Sequence, residues 1–245
     1  MIFVERRGQG PRLAMLHGFA QNAECWGPLR EALEIDHTLL LPDLPGHGRS
    51  PTPRSLEEAA PLLAEALGPA VIFGYSLGAR AALQVALRAP SQVQGLILLG
   101  GTPGLATEAE RAARRQQDEV WAKILEEEGL ERFFERWFEQ PILADVPRDR
   151  RFEEARRRND PRALAAALRL LGTGAQASLW DQLPGLDMPV LLLTGERDAK
   201  FTAIAEQMQR AIGPRATHQR IPGAGHAAHL TAPEEVAAAI RAFRA

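Results

Sequence analysis

The chain of 245 residues contains one cysteine, Cys25, and one tyrosine, Tyr75. Lysine is nearly as scarce, at Lys123 and Lys200 only, and arginine supplies the other basic side chains. A single cysteine excludes an intramolecular disulfide and any cysteine-rich metal centre. Cys25 stands beside Trp26 ahead of an apolar helical stretch and is expected to be a small buried side chain, not a nucleophile. No apolar run approaches the roughly 20 residues that span a bilayer, so no membrane partner is expected. The N-terminal stretch MIFVERRGQGPRLAML carries charges where a signal peptide requires an apolar segment. Nor is there an excess of either charge. Twenty-nine basic residues against 31 acidic ones give a formal net charge of −2, which argues against nucleic acid as a partner. A cytoplasmic enzyme is the expectation.

Short runs rich in Leu, Val and Ile recur along the chain. They are Leu13–Leu16, Thr38–Leu41, Ala70–Phe73, Gly95–Leu99 and Val190–Leu193. Their apolarity is continuous, not alternating, as in strands buried on both faces of a parallel sheet. Amphipathic stretches alternate with them: Ser55–Leu67, Leu77–Ala89, Phe201–Ile212 and Pro233–Arg244. This alternation predicts an α/β fold, a mostly parallel, doubly wound sheet with right-handed crossovers. Between Thr102 and Leu183 no strand-like run appears, and a disproportionate share of the chain's charges falls there. A single crossover needs far fewer residues. Residues 102–183 are therefore read as a helical cap inserted between strands, and 1–101 with 184–245 as the core.

The stretch Gly74-Tyr75-Ser76-Leu77-Gly78 fits G-x-S-x-G. Alone that match is weak. Here an apolar strand precedes it and a helical pattern follows, the setting of a nucleophile elbow, where a serine is held on a sharp turn at the top of a sheet. Such a serine needs a base, and the base an orienting carboxylate, in the chain order Ser, acid, His. Gly195-Glu196-Arg197-Asp198 follows a strand, and His226 lies in the glycine-rich loop before the last helix. Glu196 competes with Asp198 for the acid position, and His229 with His226 for the base; Ser76, Asp198 and His226 are the triad assigned. His17-Gly18-Phe19 follows the first apolar run, so the backbone N–H groups of Phe19 and Leu77 are candidates for an oxyanion hole. His17 is expected to bond the turn. His47, in the loop Asp43–Ser50, is expected to pack.

These motifs place the chain's resemblance. HGF, DLPGHGRS, GYSLG, GERD and GAGHAAH run the length of an α/β-hydrolase. More narrowly, the chain resembles the 2-succinyl-6-hydroxy-2,4-cyclohexadiene-1-carboxylate (SHCHC) synthase family of menaquinone biosynthesis. That family reads G-Y-S-[ML]-G-G-R at the elbow, here Gly74 to Arg80 with Ala79 in place of the second glycine. Gly101–Leu105, Glu110–Arg115, Trp137–Pro141, Gly195–Phe201 and Gly225–His229 are similar as well, with Thr102 a departure in a varied cap position.

The resemblance implies a carbon–oxygen lyase that eliminates pyruvate from a triacid, using Ser76 as a general base. It implies no cofactor and no metal ion, and a monomer or small homo-oligomer. It also implies that Arg80, Arg114 and Arg156 bind the carboxylates of a small polycarboxylate substrate, with Tyr75 and Trp137 as pocket walls. The assignment of Arg156 could slip to Arg157 or Arg158, its neighbours. A carboxylesterase or C–C bond hydrolase on the same scaffold is the alternative, one that leaves Arg80 without an evident task. A non-catalytic binding protein is the third reading, against which the intact, correctly ordered Ser76, Asp198 and His226 argue.

Overall fold

The computed structural model describes residues 1–51, 55–147 and 149–243. Seven strands form one sheet: β1 (Val4–Arg7), β2 (Arg12–Leu16), β3 (Thr38–Pro42), β4 (Ala70–Tyr75), β5 (Val93–Leu99), β6 (Val190–Gly195) and β7 (Ala216–Ile221). Their spatial order is β1-β3-β2-β4-β5-β6-β7. β1 runs antiparallel to β3, and every other neighbouring pair is parallel. The five apolar runs are the inner strands, sealed from water on both faces: Leu13 to Leu16, Leu39 to Leu41 and Leu96 to Leu99 are almost wholly buried. Burying a Leu or Ile side chain of this kind contributes about 1.5–3 kcal/mol.

Helices α1 (Pro28–Leu33), α9 (Ala228–Thr231) and α10 (Pro233–Ala242) join one apolar cluster with one face of the sheet, around Trp26 and Phe73. Helices α2 (Leu56–Leu67), α3 (Leu77–Arg88) and α8 (Ala199–Ile212) cover the opposite face. The amphipathic stretches thus become helices within a residue or two of their expected limits. α2 opens at its N-cap Ser55, whose hydroxyl accepts the Glu58 N–H. α8 begins earlier than expected because Asp198 caps it. α10 ends at Ala242, and the expected final Arg244 lies outside the described residues.

Between β5 and β6 lie α4 (Glu108–Glu127), α5 (Gly129–Trp137), α6 (Arg150–Arg156) and α7 (Pro161–Leu171), with no strand among the described residues of this segment. α4 starts at a capping box, in which Thr107 and Glu110 satisfy each other's backbone N–H groups. Phe133, Phe134, Leu125, Leu164 and Leu168 form a small separate core that also takes in Ala20. The inserted helices therefore have their own packing and sit over the turn that follows β2. Among the described residues, no helix is long and apolar enough to cross a membrane.

Candidate active site

β4 ends at Tyr75 and α3 begins at Leu77, so the whole reversal falls on Ser76. Its backbone takes φ 53° and ψ −108°, a conformation rare for a residue with a side chain. Ala20 is the other non-glycine residue with positive φ among the described ones, and both line the same cavity. The Ser76 N–H is anchored on the Leu99 carbonyl at 2.9 Å. Glycine is required on either side of the turn: a Cβ on Gly78 would come within 1.8 Å of the Leu16 carbonyl oxygen, and one on Gly74 within 2.4 Å of the Gly78 carbonyl oxygen. The G-x-S-x-G spacing is thus the packing condition for pressing α3 against the end of β2.

His226 and Asp198 come from the loops after β7 and β6. His226 Nδ1 donates to Asp198 Oδ2 at 2.7 Å, and both side chains are buried. Asp198 Oδ1 meanwhile accepts the Phe201 N–H at 3.2 Å, so the cap of α8 fixes the carboxylate. The imidazole rests against Phe201, with ring centroids 4.5 Å apart. Gly100 lies on its other side, where a Cβ would stand 2.7 Å from the ring. The competitors point elsewhere. Glu196 accepts the Gly223 N–H at 2.8 Å on the surface, and His229 is sealed behind Tyr75, its ring centroid 4.0 Å away. Burial holds His229 well below the usual histidine pKa, with the Arg156 charge acting in the same direction. It stays neutral.

The turn after β2 is built by its neighbours. His17 Nδ1 donates to the Gly18 carbonyl at 2.8 Å, while Nε2 accepts the Leu44 N–H at 2.9 Å. Gln21 Oε1 accepts the Gly18 N–H at 3.0 Å. Burial lowers the His17 pKa to about 4, so the ring is a neutral brace. His47 donates from Nδ1 to the Pro45 carbonyl, and burial lowers its pKa to about 3. With the turn so fixed, Phe19 and Leu77 both border the cavity that holds Ser76.

That cavity has a volume of about 310 Å³ and is roofed by the inserted helices. Arg80, Arg114, Arg156, Tyr75 and Trp137 all line it together with Ser76 and His226. Arg80, one turn into α3, is buried and donates from Nη1 to Gln176 Oε1 at 3.0 Å. Desolvation pushes its pKa down to about 9, and the Arg114 charge adds to that shift. Arg114 pairs with Asp118 at 2.8 Å, one turn along α4. Burial raises the Asp118 carboxyl above its ordinary pKa despite that partner. Within the arginine run, Arg156 is buried over the Phe138 ring at 4.8 Å and lines the cavity, while Arg157 and Arg158 are exposed and pair with Glu131 and Glu24. Trp137 both walls the cavity and stacks on Phe133 at 5.1 Å.

Sequence reasoning did not single out Gln176, Asp118, Gln21 or Gly100. Gln176 and Gly100 act through partners far along the chain, Arg80 and His226, while Asp118 and Gln21 bond to Arg114 and Gly18 nearby, and no motif marks any of the four. Lys200, one of the two lysines, also lines the cavity.

A serine held at a strained strand–helix elbow, with a His–Asp pair on later loops of a parallel sheet, defines an α/β-hydrolase site. In agreement, the α/β-hydrolase family pattern matches residues 13–239. The chain is 37% identical over 239 residues to 2-succinyl-6-hydroxy-2,4-cyclohexadiene-1-carboxylate synthase of Klebsiella pneumoniae, covering 94% of this chain and 92% of that one. The solved structure of MenH from S. aureus superposes with a TM-score of 0.90 at 29% identity, covering 98% of this chain and 96% of that one. A match to the protein PHYLLO, chloroplastic, of Arabidopsis thaliana is 32% identical and takes in 98% of this chain but only 16% of that much longer protein. The chain belongs to the α/β-hydrolase family and, within it, to the family of the SHCHC synthases.

Proposed function

We propose that the chain is an SHCHC synthase, a carbon–oxygen lyase that eliminates pyruvate from 2-succinyl-5-enolpyruvyl-6-hydroxy-3-cyclohexene-1-carboxylate in menaquinone biosynthesis. The observation that carries this reading is the charge of the cavity. Among the described residues, Arg80, Arg114, Arg156 and Lys200 line the cavity of Ser76 against one lining carboxylate, Asp118, in a chain whose net charge is only −2. A neutral ester has no use for such a wall. A triacid does, because arginine grips carboxylates bidentately and keeps its charge.

In this reading Ser76 acts as a base. As its hydroxyl proton passes to His226 Nε2, Oγ takes the acidic proton from the ring carbon beside the succinyl ketone. Asp198, bound to Nδ1, steadies the imidazolium that forms. The electron pair flows onto the ketone oxygen, which the N–H groups of Phe19 and Leu77 would receive. Its return shifts the ring double bond into conjugation and expels the enolpyruvyl oxygen. The departing enolate collects a proton from His226 and becomes pyruvate. Every proton is accounted for and no water is consumed.

A substrate-binding role for the three arginines, the insertion as a cap, and a monomer or small homo-oligomer belong to the same proposal. So does a cytoplasmic setting, supported by the sparing use of cysteine, with Cys25 a buried free thiol. Purified protein given the enolpyruvyl triacid should release pyruvate, followed with lactate dehydrogenase and NADH. Absence of release at micromolar substrate refutes the reading.

A further inference from the structure

Among the described residues, one carboxylate of the inserted segment bonds to both catalytic loops. Asp145 follows the short 3-10 turn Pro141–Leu143. Its Oδ2 accepts the Gly225 N–H at 2.8 Å and lies 3.4 Å from an Arg197 guanidinium nitrogen. Gly225 immediately precedes His226, and Arg197 immediately precedes Asp198. One oxygen atom thus reaches both loops that carry the His–Asp pair.

The fit is close. A Cβ on Gly225 would stand 2.3 Å from Asp145 Oδ2, so the loop has only a glycine's width there. The two loops already meet each other through Arg197 N–H to the Ala224 carbonyl at 2.9 Å and Glu196 N–H to the Ile221 carbonyl at 3.0 Å. The peptide unit between Ala224 and Gly225 is thus held on both sides, its carbonyl by the Arg197 N–H and its own N–H by Asp145. The residues around Asp145 face the reaction: Ile142, Leu143 and Val146 line the main cavity. On the outer side, Asp145 and Arg197 border a second cleft of about 230 Å³ that shares Ile142 and His226 with the first. The 141–146 segment is therefore a wall with substrate space on one face and the His226 loop bonded to it.

We propose that Asp145 is a positioning residue for the elimination, fixing the Gly225–His226 backbone so that the imidazole stays on Asp198 and faces Ser76. The inference rests on the base role of His226 given above. Asp145 touches neither substrate nor proton. Without Asp145 the Ala224–Gly225 peptide unit keeps only its Arg197 bond and can rotate about it; a displacement of the imidazole by up to an ångström costs up to about 100-fold in rate.

The test compares three variants in two assays: pyruvate release from the triacid, and the rate at which a fluorophosphonate labels Ser76, which needs the His–Asp pair but not the triacid. Asp145→Ala should lower kcat between about 10- and 100-fold, leave KM unmoved and slow labelling in parallel. Asp145→Asn retains an oxygen for the Gly225 N–H and should restore most of both rates. Arg197→Ala should behave as wild type. An Asp145→Ala protein with wild-type kcat and labelling overturns the proposal, as does an Asp145→Asn protein as impaired as the alanine variant. A rise in KM alone also overturns it. If wild-type protein labels but releases no pyruvate, the synthase reading fails, and the labelling assay still decides the role of Asp145.

Discussion

Replacing Arg80 with methionine separates substrate recognition from folding more cleanly than any other change in this site. The guanidinium is buried, it donates to the neutral amide of Gln176, and Arg114 is a second positive charge nearby. Desolvation and that repulsion lower its pKa from the usual arginine range to about 9. The sign follows from linkage. Above about pH 9, up to the ordinary arginine pKa, the unfolded chain holds the proton more tightly than the folded one, so stability contributed at this site rises with pH across that window. Below about pH 9 the full cost of burying the charge is present. At neutral pH, therefore, Arg80 destabilises the empty enzyme, and a substrate carboxylate relieves that cost on binding. Methionine fills the stem's volume without the charge, so the melting temperature of Arg80→Met should be unchanged or higher. A charge-assisted hydrogen bond to a carboxylate contributes about 1.5–3 kcal/mol, so kcat/KM for the triacid should fall by roughly 10- to 100-fold, mostly through KM. Hydrolysis of p-nitrophenyl acetate, if present, should be spared. Pyruvate release, nitrophenol release and calorimetry on one preparation give all three numbers. Equal loss on both substrates, with a melting temperature several degrees lower, would make Arg80 a structural residue and refute the reasoning.

Ser76→Ala should abolish pyruvate release while leaving the melting temperature near wild type; an active variant removes the serine from the mechanism. Asp198→Asn keeps the cap on α8 but presents the wrong hydrogen-bonding group to His226, and kcat should fall by about 10⁴. Gly100 has φ +59° and faces the His226 ring, so Gly100→Ala should cost about 1–3 kcal/mol in urea unfolding and also reduce kcat. The buried histidines set the acid limit. His17 and His47 have folded pKa values of about 4 and about 3, below the 6.5 of the unfolded chain, so the unfolded state takes up protons first. Stability should fall as pH drops from 6.5 toward 4, by about 1.4 kcal/mol per pH unit for each ring. Urea titrations at pH 7, 6 and 5 measure the slope, and His47→Gln should make it shallower; an unchanged slope would show that His47 is not buried neutral.

The inner strands β2 to β6 were legible because a strand buried on both faces must be apolar throughout. β1 (VERR) and β7 (ATHQRI) were not. Each pairs with a single neighbour at the sheet's edge and leaves polar side chains in water, so neither shows an apolar run. Local chemistry likewise marked the elbow, since the glycines that allow α3 to meet β2 must flank the serine at fixed spacing.

Choices among near neighbours in sequence belonged to the tertiary structure. Asp198 over Glu196, His226 over His229 and Arg156 over Arg157 or Arg158 each separate side chains one to three residues apart, which a motif covers equally well. Only packing places Asp198, His226 and Arg156 against the His226 ring, Phe201 and Phe138, leaves Glu196, Arg157 and Arg158 on the surface, and seals His229 behind Tyr75. The partners that tune the site, Gln176 for Arg80 and Asp145 for the His226 loop, lie 96 and 80 positions away along the chain. The sequence by itself determined a mostly parallel sheet, a serine on the turn that follows its central strand, and a concentration of arginine in the inserted segment. Folding brought those arginines over the serine, because the charge of a cavity depends on which helices roof it, and contacts at that separation leave no local pattern to read.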